Sequence, residues 1–202
     1  MTASAAFAGS PGRGFAHYTH DAQAAFRTLL DAMARPGTIG SVTAEPEAPS
    51  PLDAATAAIA LCLFDHDTQV WLGDGIASLA VYEYFRFHCG CPLIKSALAA
   101  DFAVCLASAG MPPLAQFDAG TDEFPDGSAT LVVQVPALDG GRDIRLTGPG
   151  IESEAHLSVA GVPDYFWDAR WDQQEIFPRG IDVVFTCGER LVALPRSTEI
   201  EV

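Results

Sequence analysis

Lysine occurs once in the 202 residues, at Lys95, and Lys and Arg together number 11 against 26 Asp and Glu. The formal net charge is −15, far beyond the magnitude of about 2–8 usual for a small soluble domain. A field of that sign repels phosphate polymers and anionic lipid, so nucleic-acid and membrane partners are not expected. The surface field does not forbid a local basic pocket, because the remaining basic residues are all arginines. Scarcity of lysine also limits Schiff-base chemistry. A pyridoxal phosphate enzyme would have to use Lys95, and the flanking Cys91-Pro-Leu-Ile-Lys95-Ser96 offers no phosphate cradle. No cofactor is therefore expected.

A disulfide framework is missing too. The five cysteines (Cys62, Cys89, Cys91, Cys105, Cys187) are odd in number and scattered. The first residues, MTASAAFAGSPGRG, show neither a basic n-region nor a continuous apolar h-region. No apolar run approaches the ~20 residues that a membrane-spanning helix needs. A soluble cytoplasmic protein is the expectation. Nucleotide signatures are absent: there is no G-x-x-x-x-G-K-[ST] and no strand-linked G-x-G-x-x-G. Neither G-x-S-x-G nor H-E-x-x-H occurs. The run His88-Cys89-Gly90-Cys91 has ligand chemistry but poor ligand spacing, since adjacent His88 and Cys89 diverge from one point. Helix-end packing is the simpler account, and iron–sulfur ligation is weaker still.

What is present is a hydrophobic fraction of 49% arranged with clear periods. Residues 1–14 are small and Gly-rich, and are expected to form a mobile arm ahead of a single α/β domain over residues 15–202. From Asp21, Ala22, Ala25, Phe26, Leu29, Leu30 and Met33 recur at helical spacing, and Pro36-Gly37 stops the helix near Arg35. A second helix opens at Pro51-Leu52, and a third covers Leu79 to His88. Strands are expected at Thr68–Leu72, Asp101–Leu106, Ala129–Val135, Asp143–Leu146, Ile181–Thr186 and Arg190–Leu194. Asp139-Gly140-Gly141 and Gly188-Glu189 read as two hairpin turns. Ala107 to Gly127 reads as a long surface loop, and loops of that length often serve function or partners. An aromatic-rich helix is expected over Pro163 to Glu175. These elements predict a mixed sheet covered by helices.

Few residues suggest chemistry. The Gly148-Pro149-Gly150-Ile151 turn could offer free backbone N–H groups to an anion, or its glycines could simply supply positive φ. Arg35, Arg179 and Arg196 each sit beside Pro or Gly at an element boundary. Each suits bidentate contact with phosphate or carboxylate, and equally an internal salt bridge. Asp65-His66-Asp67 fits a polar helix-to-strand turn better than a catalytic group.

Several segments in order resemble a known family. They are Phe26 to Ile39, Leu61 to Leu72, Ala100 to Ala103, Gly127 to Thr130, Leu146 to Ile151, Phe177 to Asp182 and Leu194 to Arg196. Over roughly Phe15 to Arg196 the chain resembles the H subunit of bacterial carbon–phosphorus lyase. The resemblance implies an α/β fold similar to the large domain of pyridoxal-phosphate-dependent transferases, without the cofactor. It implies association with the G, I and J subunits and a homodimer when isolated. It further implies a part, with the G, I and L subunits, in forming ribose 1-methylphosphonate 5-triphosphate from ATP and methylphosphonate. The family transfers no catalytic residue, so Arg35, Gly148, Gly150, Arg179 and Arg196 stand as anion-binding or interface candidates. An accessory role is favoured over the alternative, direct binding of phosphonate or nucleotide.

Overall fold

Apolar periodicity and cap residues set the helices. The computed structural model describes residues 11–201, Ala109 excepted. Most of the expected arm lies outside those residues. Its last four, 11–14, are tied to the body: Glu47 N–H donates to Arg13 O (2.8 Å) and His88 Nε2 lies 3.2 Å from Gly12 O.

Helix α1 (Tyr18–Ala34) starts before its apolar period because Asp21 reaches back to accept the His17 N–H at 2.8 Å. It buries Ala25, Leu29 and Ala32. Phe26 and Leu30, expected on the same stripe, are instead exposed on its flank. Strand β1 (Gly40–Ser41) follows. Helix α2 (Ala54–Leu63) is capped by the Asp53 carboxylate, which accepts from Thr56 N–H at 2.7 Å, and it is buried nearly all round. Strand β2 (Val70–Leu72) leads to α3 (Leu79–His88), capped by Ser78, and then to β3 (Leu93–Ile94) and β4 (Phe102–Leu106). The remaining elements are β5 (Thr130–Gln134), β6 (Ile144–Thr147), β7 (Ala155–Leu157), α4 (Asp164–Asp172), β8 (Asp182–Cys187), β9 (Arg190–Leu194) and β10 (Glu199–Glu201).

The main sheet has seven strands in the order β1-β9-β8-β5-β4-β2-β3. β3, β2, β4, β5 and β8 run parallel, while β9 pairs antiparallel with both β8 and β1. This is the mixed sheet that the pattern predicts. A smaller antiparallel sheet has the order β10-β6-β7. Alternate strand residues feed two cores. Val104, Val132 and Val184 pack with α1, α2 and α3. Cys105, Val133 and Phe185 pack with α4, the small sheet and the segment after β4.

Two further expectations fail for physical reasons. The β5–β6 hairpin does not form, because both edges of β5 are taken by β4 and β8, and β6 joins the small sheet. The continuous apolar run of β5, with Leu131, Val132 and Val133 all fully buried, is the mark of a central parallel strand. The segment from Ala107 to Gly127 is not a surface loop throughout: Met111, Leu114 and Phe117 are buried in the second core. The Gly188-Glu189 hairpin forms as expected, joining β8 to β9.

Candidate functional site

Strand order determines where a ligand-sized crevice opens. From β2 the chain leaves through α3 on one face to β3 at the sheet edge, then returns to β4 on the other side of β2. From β4 it crosses the opposite face, through Met111 and Phe117, toward β5. β2 and β4 thus send their following segments to opposite faces, which makes their carboxyl ends a topological switch point. Open α/β sheets characteristically bind ligands there. A cleft of about 550 Å³ occupies this position. Its floor is Trp71 of β2 with Gly73 and Asp74 just beyond that strand, and Cys105 and Leu106 of β4 with Ser108 just beyond it. Met111, Pro112, Pro113, Gln116 and Tyr165 complete the wall.

The local sequence explains the shape. Gly73 N–H donates to Val104 O (2.9 Å), stitching the end of β2 to β4. A Cβ at Gly73 would sit 2.8 Å from Cys105 Cβ and 3.2 Å from the Trp71 ring, so glycine is required for this approach. Trp71 is braced by Phe117 in an edge contact, with ring centroids 5.7 Å apart. The Tyr165 hydroxyl donates to Met111 O, fastening the start of α4 to the wall.

The electrostatics favour binding over reaction. Burial pushes the Cys105 thiol up to about 12, so it stays protonated at neutral pH and is no nucleophile. Burial, then Cys105, raises the Tyr165 phenol as well. Ser108 Oγ accepts from Gly110 N–H (3.3 Å) and has no histidine among the lining residues to activate it. Asp74 is the only carboxylate, and no Lys, Arg or His is among the described lining residues.

A buried polar knot lies at the same carboxyl end of the sheet, beside a second depression that shares Leu106 with the cleft. Asp53 N–H donates to Gln134 Oε1 (2.8 Å), and Gln134 Nε2 donates to Pro51 O (2.9 Å). The Thr56 and Thr186 hydroxyls meet at 2.7 Å, and Ala55 N–H reaches Gly188 O at 2.8 Å. Burial raises the Asp53 carboxyl above its ordinary value, outweighing hydrogen bonds led by Thr56. Every member of the knot has an internal partner, so it locks α2 onto β5 and β8.

The sequence-derived candidates fall elsewhere, in two groups. At the end of α1, Arg35 pairs with Asp31 (3.0 Å) and is exposed. The Gly148–Gly150 turn packs there: a Cβ at Gly150 would lie 2.0 Å from Ala34 O, and Gly148 adopts φ +122 against Ser197. Ile151 N–H already donates to Gly148 O (3.2 Å). The second group clamps the segment before β5. Arg179 Nε lies 2.9 Å from Asp122 Oδ1. Arg196 donates to Pro125 O and to Ser128 Oγ (2.6 Å), and its Nη2 lies 3.4 Å from Asp182. All three arginines therefore have internal partners.

Among the described residues no three His, Cys, Asp or Glu side chains gather as a metal site, and no helix is long and apolar enough to cross a membrane. Cys89 donates its thiol to Ala60 O (3.6 Å) and His88 stacks on Tyr84, with ring centroids 4.6 Å apart. Lys95 is exposed.

Comparison with known proteins decides the family. The model of the bacterial phosphonate metabolism protein family PhnH matches residues 13–201. The chain belongs to the PhnH family. It is 41% identical over 187 residues to the alpha-D-ribose 1-methylphosphonate 5-triphosphate synthase subunit PhnH of Rhizobium meliloti (strain 1021), covering 93% of this chain and 94% of that protein. It is 30% identical over 181 residues to the putative C-P lyase subunit protein HtxG of Stutzerimonas stutzeri, covering 89% and 86%.

In this PhnH-family chain the sequence reading missed the switch-point cleft and the Asp53 knot. It also missed Arg170, which is fully buried and donates to Pro195 O (2.7 Å) and Thr198 O (3.0 Å). Burial lowers that guanidinium to about 10, against the pull of Asp182, so it remains charged at neutral pH. The signal for the cleft was the Gly73-Asp74-Gly75 turn after one strand and the long segment after another. Their adjacency depends on strand order, which no local motif carries.

Proposed function

We propose that this chain is a subunit of a carbon–phosphorus lyase core assembly, acting with the G, I and L subunits to form ribose 1-methylphosphonate 5-triphosphate. Its part is accessory: it contributes shape and contact surface, while reactive groups reside on its partners. The observation carrying this reading is the match over residues 13–201, together with 41% identity to a subunit of that synthase. The chemistry agrees. The cleft holds a protonated thiol and an unactivated serine, and each candidate arginine is engaged inside the chain.

Within this reading the G, I and J subunits are its partners, the isolated chain is a homodimer, and residues 15–202 act as one domain in the cytoplasm. We take the parallel strands β2, β4, β5 and β8 as the counterpart of the large domain of pyridoxal-phosphate-dependent transferases, with the exposed Lys95 not serving as a Schiff-base lysine. Co-purification tests it. A tagged chain expressed with the remaining subunits should elute with them in fixed ratio; elution alone would sink the proposal. Direct contact with substrate is the second reading, favoured by the cleft at the β2/β4 switch point. Reconstituted activity lost on filling the cleft, in an assembly that still forms, would select it.

A further inference from the structure

The switch-point cleft has a charge character opposite to that of a phosphate site. Its lining combines the half-buried Trp71 and the Tyr165 ring with one carboxylate, Asp74, and the acceptor-bearing side chain of Gln116. No cationic side chain answers Asp74 among the described lining residues. The chain's −15 net charge deepens the negative potential at the opening. Backbone donors do not compensate: Gly73 N–H is spent on Val104 O, Ile76 and Ala77 N–H on Gly73 O, and Gly110 N–H on Ser108 Oγ. The Tyr165 hydroxyl is spent on Met111 O. An entering anion would find only neutral donors, the Ser108 hydroxyl, the Gln116 amide and the Trp71 indole, and would face a carboxylate with no cation to offset it. A flat ring with N–H groups would instead meet aromatic walls and an acceptor at the rim.

We infer that this cleft binds a small planar nitrogen-bearing ring that donates hydrogen bonds to Asp74, and that it discriminates against anionic ligands of the same shape. The volume of about 550 Å³ lies in the range of small-molecule sites. Shape recognition comes from Trp71, held by Phe117, and from Gly73, whose missing side chain leaves the floor open. Charge recognition comes from Asp74, which is exposed and carries no buried contact that its replacement would disrupt. This assignment does not depend on the assembly reading, since it concerns the isolated chain.

The test compares two probes of equal shape and opposite charge, benzamidine and benzoate, by following the Trp71 indole N–H resonance. Trp71→Phe identifies that resonance among the three tryptophans. Benzamidine should shift it saturably, and about tenfold more tightly than benzoate, as expected when one exposed charge attracts one probe and repels the other. Asp74→Asn should shrink the discrimination to the small, salt-screened remainder set by the net charge, without lowering the melting temperature. Three results would each overturn the inference: no response of the Trp71 signal to benzamidine, benzoate binding as tightly as benzamidine, or discrimination undiminished by Asp74→Asn. Co-elution with the other subunits reports on the assembly reading separately, so failure of one leaves the other intact.

Discussion

Replacing Gly150 by alanine should destabilise the protein strongly if the Gly148–Gly150 turn is a packing joint and not an open anion cradle. Two costs act there. Gly150 has φ +82, and an L side chain in the left-handed region costs about 1–2 kcal/mol. The new Cβ would also lie 2.0 Å from Ala34 O and 3.2 Å from Pro36 Cδ, so the end of α1 must retreat by about an ångström. Forced accommodation of that kind costs about 1–3 kcal/mol. The total is roughly 3 kcal/mol, or a drop of roughly 6–12 °C in melting temperature for a chain of this size. Gly140→Ala is the internal control. Gly140 has φ +74 with nothing within 4 Å of its Cβ, so only the backbone cost applies. The entropy lost by the unfolded chain is the same for both variants and cancels. Thermal and urea unfolding should place Gly150→Ala about 2 kcal/mol below Gly140→Ala. If the two variants melt together, the turn is not a joint and the anion reading returns.

Other substitutions test the clamps. Arg196→Ala should cost roughly 2 kcal/mol through its lost bonds to Pro125 O, Ser128 Oγ and Asp182, and should speed proteolysis between residues 118 and 128. Arg179→Ala, removing an exposed pair with Asp122, should cost under about 1 kcal/mol in the same assay; equal losses would contradict the assignment of Arg196 as the principal clamp. Asp53 gives a pH signature. Its carboxyl is raised by burial, so its protonated form favours folding at low pH, and that contribution is lost as pH rises through the raised value. Asp53→Asn keeps an acceptor for Thr56 N–H and cannot ionise. It should gain stability relative to the parent between a pH below 3.8, the carboxyl's ordinary value, and pH 7. Asp53→Ala should lose about 1 kcal/mol of helix capping. A larger deficit for Asp53→Asn at neutral than at acid pH would contradict the burial argument.

Much of the fold was legible because local rules set it. Leu79 to His88 was readable as a helix from its apolar and aromatic pattern, to which the structure adds the Ser78 cap, and the Gly188-Glu189 turn fixed the β8–β9 hairpin. Helix α1 began earlier than its apolar period because Asp21 caps from within. Where sequence reasoning failed, the deciding contacts were distant. β5 could have paired with β6 by proximity, but β4 and β8 claimed its edges. Met111 and Phe117 sit in a Pro- and Gly-rich stretch whose composition hides that they cover a sheet. The candidate site shows the same limit. Arg179 and Arg196 were readable either as anion contacts or as internal salt-bridge partners, and the groups they meet, Asp122, Pro125 and Asp182, come from parts of the chain that no local pattern links to them. The cleft is assembled from the ends of β2 and β4 and from Tyr165 on α4, so no contiguous motif announces it.

Omission of this one chain from a reconstituted synthase is the most direct measurement. With ATP and methylphosphonate supplied, the full set of subunits should form the ribose 1-methylphosphonate triphosphate, the set lacking this chain should not, and this chain alone should turn over neither substrate. Product from the lone chain, or undiminished synthesis without it, would contradict a role as an accessory subunit of the assembly.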